Sequence, residues 1–203
     1  FKDPLLTAVD LTYVVEEIQR LIPSRFFYGI DSIIVGSFAD LKERNTNAKL
    51  ENGTIYVSNE QDDEDDLIDD IVHEVAHNVE EQSQRLIYGD GSVEMEFLGK
   101  RKRLFHLLKQ EYGSDVNQWA RYFLEPEYNE EFDRFLYEVV GYPLLTSLTT
   151  GLFVSPYSTT SLREYFATAF EEYFLKDTPH LKNVSPMVYN VIEVLLGEEQ
   201  RWI

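Results

Sequence analysis

The segment Ile71-Val72-His73-Glu74-Val75-Ala76-His77-Asn78 constrains this chain more than any other. Leu67, Ile68, Ile71, Val72, Val75, Ala76 and Val79 recur at helical spacing, so the segment reads as an amphipathic helix over about 67–87. On such a helix residues four apart stand one turn up on the same face, and His73 and His77 can direct two imidazole nitrogens at one ion. Glu74 follows the first histidine by one position. Its carboxylate is then placed beside the open coordination position, where it can take a proton from a water molecule on the metal. The remaining histidines, His106 and His180, have no partner at ligand spacing and read as surface or packing residues.

Composition bears on which metal chemistry is open. There are no cysteines, which excludes thiolate ligands and a disulfide framework, so an ion must be held by His, Asp or Glu. The 37 acidic against 18 basic residues give a formal charge of −19, which would repel a phosphate backbone and excludes nucleic acid as a natural partner. No apolar run approaches the roughly 20 residues needed to span a bilayer. The N-terminus lacks a signal-peptide pattern, and a chain beginning at Phe1 is compatible with a fragment of a longer protein. Compartment and oligomeric state are not readable from these features.

The order of elements predicts an α+β domain. Asp10 is a suitable N-cap for a helix carrying Leu11, Val14, Val15, Ile18, Leu21 and Ile22, which ends at Pro23. Residues 30–38 and 54–58 read as strands, with polar, loop-like sequence over 42–52 between them. From Leu67 onward the pattern is helical, over about 67–87, 94–112, 115–124, 129–140, 161–175 and 186–196, with breaks at 89–92 and 142–156. The expectation is a single domain over 1–203 whose small N-terminal sheet precedes a mostly helical remainder. The acidic run at 62–70 reads as a solvated helix N-terminus complementing the macrodipole, since it lacks the spaced ligands and turn glycine of a calcium loop.

A catalytic zinc needs a third protein ligand and one open position. The extended pattern that would supply a third histidine is absent, because Glu80 and Ser83 stand where glycine and histidine are required. The third ligand is therefore a glutamate from elsewhere, with Glu94, Glu96 and Glu164 as candidates. Glu164 has a competing role, since Ser161-Leu162-Arg163-Glu164 is a good capping box.

The run Glu164-Tyr165-Phe166-Ala167-Thr168-Ala169-Phe170, with Tyr157 upstream, resembles the second zinc helix of the gluzincin metallopeptidases related to the anthrax lethal factor catalytic domain and the Pro-Pro endopeptidases. Those proteins pair an H-E-x-x-H helix with a downstream glutamate in an E-x-F-A-x-x-F pattern. The resemblance covers these two motifs and the general order of elements. It implies a zincin-like fold, Zn2+ held by His73, His77 and Glu164, Glu74 as the base, and Tyr157 as the group that stabilises the oxyanion. It also implies that a peptide or protein substrate lies along an edge strand before the metal helix, here Gly53, Thr54, Ile55, Tyr56 and Val57. The long interval between His77 and Glu164 is then an inserted helical lobe over about 90–145. Thr168 stands where an acidic partner for a histidine ligand is expected, leaving Asp69, Asp70 or a backbone carbonyl for that task. The function so implied is hydrolysis of peptide bonds by a metal-bound water that Glu74 activates. A non-peptide zinc hydrolase, or a relic zinc-binding domain of a larger toxin or virion protein, would share the ligands. An intact Glu74 argues against the relic, because a structural site needs no base.

Overall fold

The first helix, α1 (Leu11–Leu21), begins where its cap predicts, with the Asp10 carboxylate accepting from the Thr12 and Tyr13 amides. It buries Val14 and Ile18, and the chain leaves it through Ile22 in extended conformation, as the following Pro23 requires. These residues open a computed structural model that describes residues 2–44 and 46–197. The chain divides into two compact units, Phe1–Gln82 and Ser83–Ile203.

In the first unit, β1 (Ser32–Gly36) and β3 (Thr54–Ser58) pair in parallel, from Ser32 against Thr54 to Gly36 against Ser58. The segment read as a loop over 42–52 is instead largely ordered. It contains the end of a short helix, α2 (Ala39–Arg44), and a further strand, β2 (Ala48–Glu51). The missed signal is Asn52-Gly53. These two residues have φ of 50° and 73°, the left-handed pair that a two-residue hairpin turn demands and that Asn-Gly adopts at least cost. The turn folds β2 back antiparallel on β3, Ala48 against Val57 and Glu51 against Thr54.

The sheet order is therefore β1-β3-β2, and β3 is its central strand. This corrects the expectation that Gly53, Thr54, Ile55, Tyr56 and Val57 form an edge that receives substrate. The main chain of β3 is committed to strands on both sides, and Ile55 and Val57 are fully enclosed, so this strand has no free ladder to offer a peptide.

The metal-motif helix, α3 (Glu64–Tyr88), starts in the acidic run as expected. Glu64, Asp65 and Asp66 occupy its first turn, and the Asp63 carboxylate accepts from the Asp66 amide at 3.0 Å. Leu67, Ile68, Ile71, Val72, Val75, Ala76 and Val79 are all buried. Asn78, also buried, donates from Nδ2 to the carbonyls of Phe26 and Tyr28 at 2.9 and 3.0 Å, tying α3 to the turn that follows α1. Replacing Asn78 by alanine strips a partner from both carbonyls, and chemical denaturation should register a loss of about 1–3 kcal/mol. At Ser83 the helix leaves helical geometry (φ −121°, ψ 18°), where the first unit ends.

The second unit is helical among its described residues. Its elements are α4 (Ser92–Tyr112), α5 (Glu130–Arg134), α6 (Tyr142–Thr149), α7 (Leu162–Leu175), α8 (Thr178–Val184) and α9 (Pro186–Gly197). The segment expected as α-helix over 115–124 is wound as two tighter turns, Gly113–Trp119 and Tyr122–Leu124, after Gly113 ends α4 at a positive φ of 64°. That expected over 129–140 is α5 followed by a π-helical stretch, Phe135–Val140, that stops at Gly141. Two helices missing from the sequence reading, α6 and α8, carry Pro143 and Pro179 in their first turns, a start signal that outweighed their short apolar pattern.

α4 packs against α6, α7 and α9, and its Phe97, Leu104 and Leu108 are fully enclosed. Arg101 is enclosed with them. Its guanidinium stands 5.0 and 4.5 Å from the Phe97 and Phe132 ring centres and donates to the Glu125 carbonyl.

One buried polar network joins α4, α7 and the start of α9. Lys100 Nζ donates to Tyr165 Oη and Ser185 Oγ, each at 2.6 Å, and Tyr165 Oη donates to Glu96 Oε1 at 2.7 Å. Glu96 Oε2 accepts from the Met187 amide at 3.0 Å. Burial lowers the Lys100 ammonium to about 8, against the pull of Glu96, and raises the Tyr165 hydroxyl well above the tyrosine range.

Between pH 8 and the ordinary lysine value the unfolded chain keeps the Lys100 proton that the native state releases, so stability rises with pH there. Above about pH 10 Tyr165 opposes this, because unfolded tyrosine ionises first. Denaturation midpoints should therefore climb from pH 8 to about 9.5 in the parent more steeply than in Lys100→Met. Equal slopes would contradict the buried-ammonium account.

Candidate metal centre

His73 and His77 lie one turn apart on α3, their ring centres 4.6 Å apart and nearly perpendicular at 86°. His73 is half-buried, and His77 and Glu74 are buried at 6% and 7% exposure. The backbone around them is fixed by Val72, Val75 and Ala76, which have no exposed surface. The histidine rings are thus held by a packed helix and not by a loop, which reduces the ordering cost of binding an ion.

Glu164 sits in the first turn of α7. Its amide donates to Ser161 Oγ at 3.1 Å, so the Ser161 half of the capping box is formed. One nitrogen from each of His73 and His77 and one carboxylate oxygen of Glu164 all lie within 4.8 Å of one another, and no other such group of three or more occurs among the described residues. Glu96 is committed to the Tyr165 and Met187 bonds, and Glu94 belongs to no such group. Of the three glutamates that the sequence left open, Glu164 is the one that stands in this group. His106, exposed beside Phe105, and His180, whose amide closes the Asp177 cap of α8, stand outside the group.

Two neighbours complete the description of the histidine helix and of α7. The Asp70 carboxyl, one turn before His73, accepts from Gln61 Nε2 at 2.8 Å. Burial pushes it up to about 6, while the Gln61 bond and the charge of His73 pull it down. Thr168, at the position where an acidic residue was expected, donates to the Glu164 carbonyl at 2.7 Å and is absorbed into its own helix.

Tyr157 lies on a single tight turn, Tyr157–Thr159, packed against α7, and is 37% exposed. Tyr128 and Asp133 carry no motif or spacing that singles them out along the chain. Their hydrogen bond spans 3.1 Å; burial and the Asp133 carboxylate push the Tyr128 hydroxyl up to about 12, and burial raises the Asp133 carboxyl against the pull of that bond.

Compared with family models, curated proteins and solved structures, the chain matches none. A functional reading therefore stands on these side chains and their chemistry.

Proposed function

We propose that this protein is a zinc-dependent hydrolase acting on peptide bonds, of gluzincin type, with His73, His77 and Glu164 as metal ligands and Glu74 as general base. The observation that carries the reading is the gathering of two imidazole nitrogens and one carboxylate oxygen within 4.8 Å, with a further buried glutamate directly after the first histidine. Two histidines and a glutamate, with no thiolate, are a donor set that suits zinc and leaves a position open, as catalytic sites require. A bound Zn2+ would supply Lewis acidity, making a water molecule acidic near neutral pH and polarising a carbonyl.

The chain's own residues would do the remaining work. Glu74, enclosed beside apolar Val75 and Val72, accepts the proton of the attacking water and returns it to the departing amine. Tyr157 donates a hydrogen bond to the oxyanion as the carbonyl becomes tetrahedral. Asp70 orients His73, so that the imidazole presents one nitrogen to the ion.

A mixture of random decapeptides, incubated with protein stripped of metal and then given one equivalent of zinc, tests the reading. Mass spectrometry should find cleavage that requires the added zinc and stops with a chelator. Intact peptides in the presence of bound zinc would count against a peptidase.

A further inference from the structure

Residues 2–7, ahead of α1, form neither helix nor strand, yet they are fastened to the first unit from end to end. Lys2 donates from its amide to the Val35 carbonyl, at the outer edge of β1, at 2.9 Å. Its Nζ donates to the Ser37 carbonyl at 2.5 Å and stands 4.4 Å from the Phe38 ring centre. The Asp3 carboxylate accepts from the Ser37 amide at 2.9 Å. Further on, the Leu6 amide donates to the Asn59 carbonyl at 3.2 Å and Thr7 Oγ1 to the Gln61 carbonyl at 2.6 Å. Room for the passing chain comes from Gly36, where a Cβ would lie 2.8 Å from Lys2 Cβ.

This seat grips main chain and polar groups. Leu6 is 69% exposed, and Lys2, Pro4 and Thr7 are exposed with it, so undocking uncovers little apolar surface and belongs to the low-energy openings of the fold. At Pro4 the fit is incomplete. Asn59, only 5% exposed, donates from Nδ2 to the Pro4 carbonyl at 2.7 Å, while Oδ1 of the same amide is enclosed without a hydrogen-bond partner among the described residues. A side-chain amide can both donate to a C=O and accept from an N–H. Proline supplies the first and lacks the second. The seat thus holds an acceptor that its own segment leaves unused, and an enclosed acceptor without a donor weakens the docking.

We propose that the seat made by residues 35–38 and 59–61 docks an extended segment of a partner protein, with lysine and aspartate at its first two positions and a residue other than proline at the third, and that residues 2–7 are its weaker occupant in cis. The groups that meet the occupant are main-chain donors and acceptors beside a free sheet edge, the means by which such edges take up extended chains. The Phe38 ring and the Ser37 carbonyl select the lysine, and the Ser37 amide selects the aspartate. The metal ligands take no part, so the seat is independent of the hydrolase chemistry.

Three N-acetylated peptide amides test this on the isotope-labelled full chain, with the Ser37 and Leu6 amide resonances followed. They are Lys-Asp-Ala-Leu-Leu-Thr, the same sequence with proline at the third position, and the same with N-methylalanine there. Each must displace a tethered segment, so half-displacement is expected at about millimolar peptide. The alanine peptide should achieve it at a concentration about threefold to tenfold lower than the other two, which lack the N–H. In the chain itself, Pro4→Ala should slow hydrogen exchange of the Leu6 amide by a similar factor. Gly36→Val, a residue that suits a strand, should weaken all three peptides and speed that exchange. Equal displacement by the three peptides, displacement by none, or unchanged Leu6 exchange in Pro4→Ala would overturn the inference. Dimers of Pro4→Ala at concentrations where the parent is monomeric would assign the seat to a second copy's segment and overturn the foreign partner.

Discussion

Glu74→Gln should keep its zinc and its fold and lose turnover. The amide has the size of the carboxylate and fits the same enclosed position, so packing around Val72, Val75 and Ala76 is undisturbed. What disappears is the proton acceptor. General base catalysis is worth about a hundredfold to ten-thousandfold, and the rate on any peptide that the parent cleaves should fall by that amount with zinc content unchanged. The measurement is kcat for parent and variant, with metal determined on the same samples. Turnover at the parental rate would show that Glu74 is not the base. Loss of zinc with the rate would instead place Glu74 among the ligands.

The second large effect is at Glu164, where a structural role meets the proposed chemical one. Its amide is bound to the Ser161 hydroxyl, and its carboxylate belongs to the group with His73 and His77. Glu164→Ala keeps the first feature, since any residue supplies an amide, and removes the second. If capping were all that Glu164 does, the variant would lose about 0.5–2 kcal/mol of stability and bind zinc as before. As the third ligand, its loss leaves the ion on two histidines and solvent, and affinity should fall about a hundredfold or more while the metal-free protein loses little beyond the capping term. Glu94→Ala and Glu96→Ala are the controls. Glu96→Ala should unfold more readily, because it deletes the acceptor of the Tyr165 and Met187 bonds, yet its zinc affinity should stay near the parent's. Competition with a chelator reads all three. A large loss at Glu94 with none at Glu164 would reassign the ligand and, with it, the role of Tyr157.

How far the sequence could be read depended on the range of the interaction that decided each element. The caps at Asp10 and Ser161, the acidic start of α3 and the break before α4 are local, and they stand where the pattern put them. The core face of α3 was legible for the same reason, since helical periodicity reports burial directly.

The sheet was read less well. Strand β2 is short and only half-buried, so its polar sequence resembles a loop, and its existence follows from the Asn52-Gly53 turn. Missing that turn made β3 look like an edge, which let the substrate strand implied by the resemblance fall on it. At the candidate site, the i, i+4 histidines and Glu74 were visible as a motif. Residue pattern alone left Glu94, Glu96 and Glu164 open, and only the resemblance pointed to Glu164; its place in the group with His73 and His77 is a matter of tertiary structure that no spacing along the chain reports.

Zinc content after reconstitution tests the central claim most directly. Protein stripped of metal, given excess Zn2+ and passed through a desalting column should retain about one zinc per chain, and the His73→Ala, His77→Ala double variant should retain none while keeping its helical circular dichroism. A parent chain that emerges free of zinc, or a double variant that holds as much as the parent, would contradict the account.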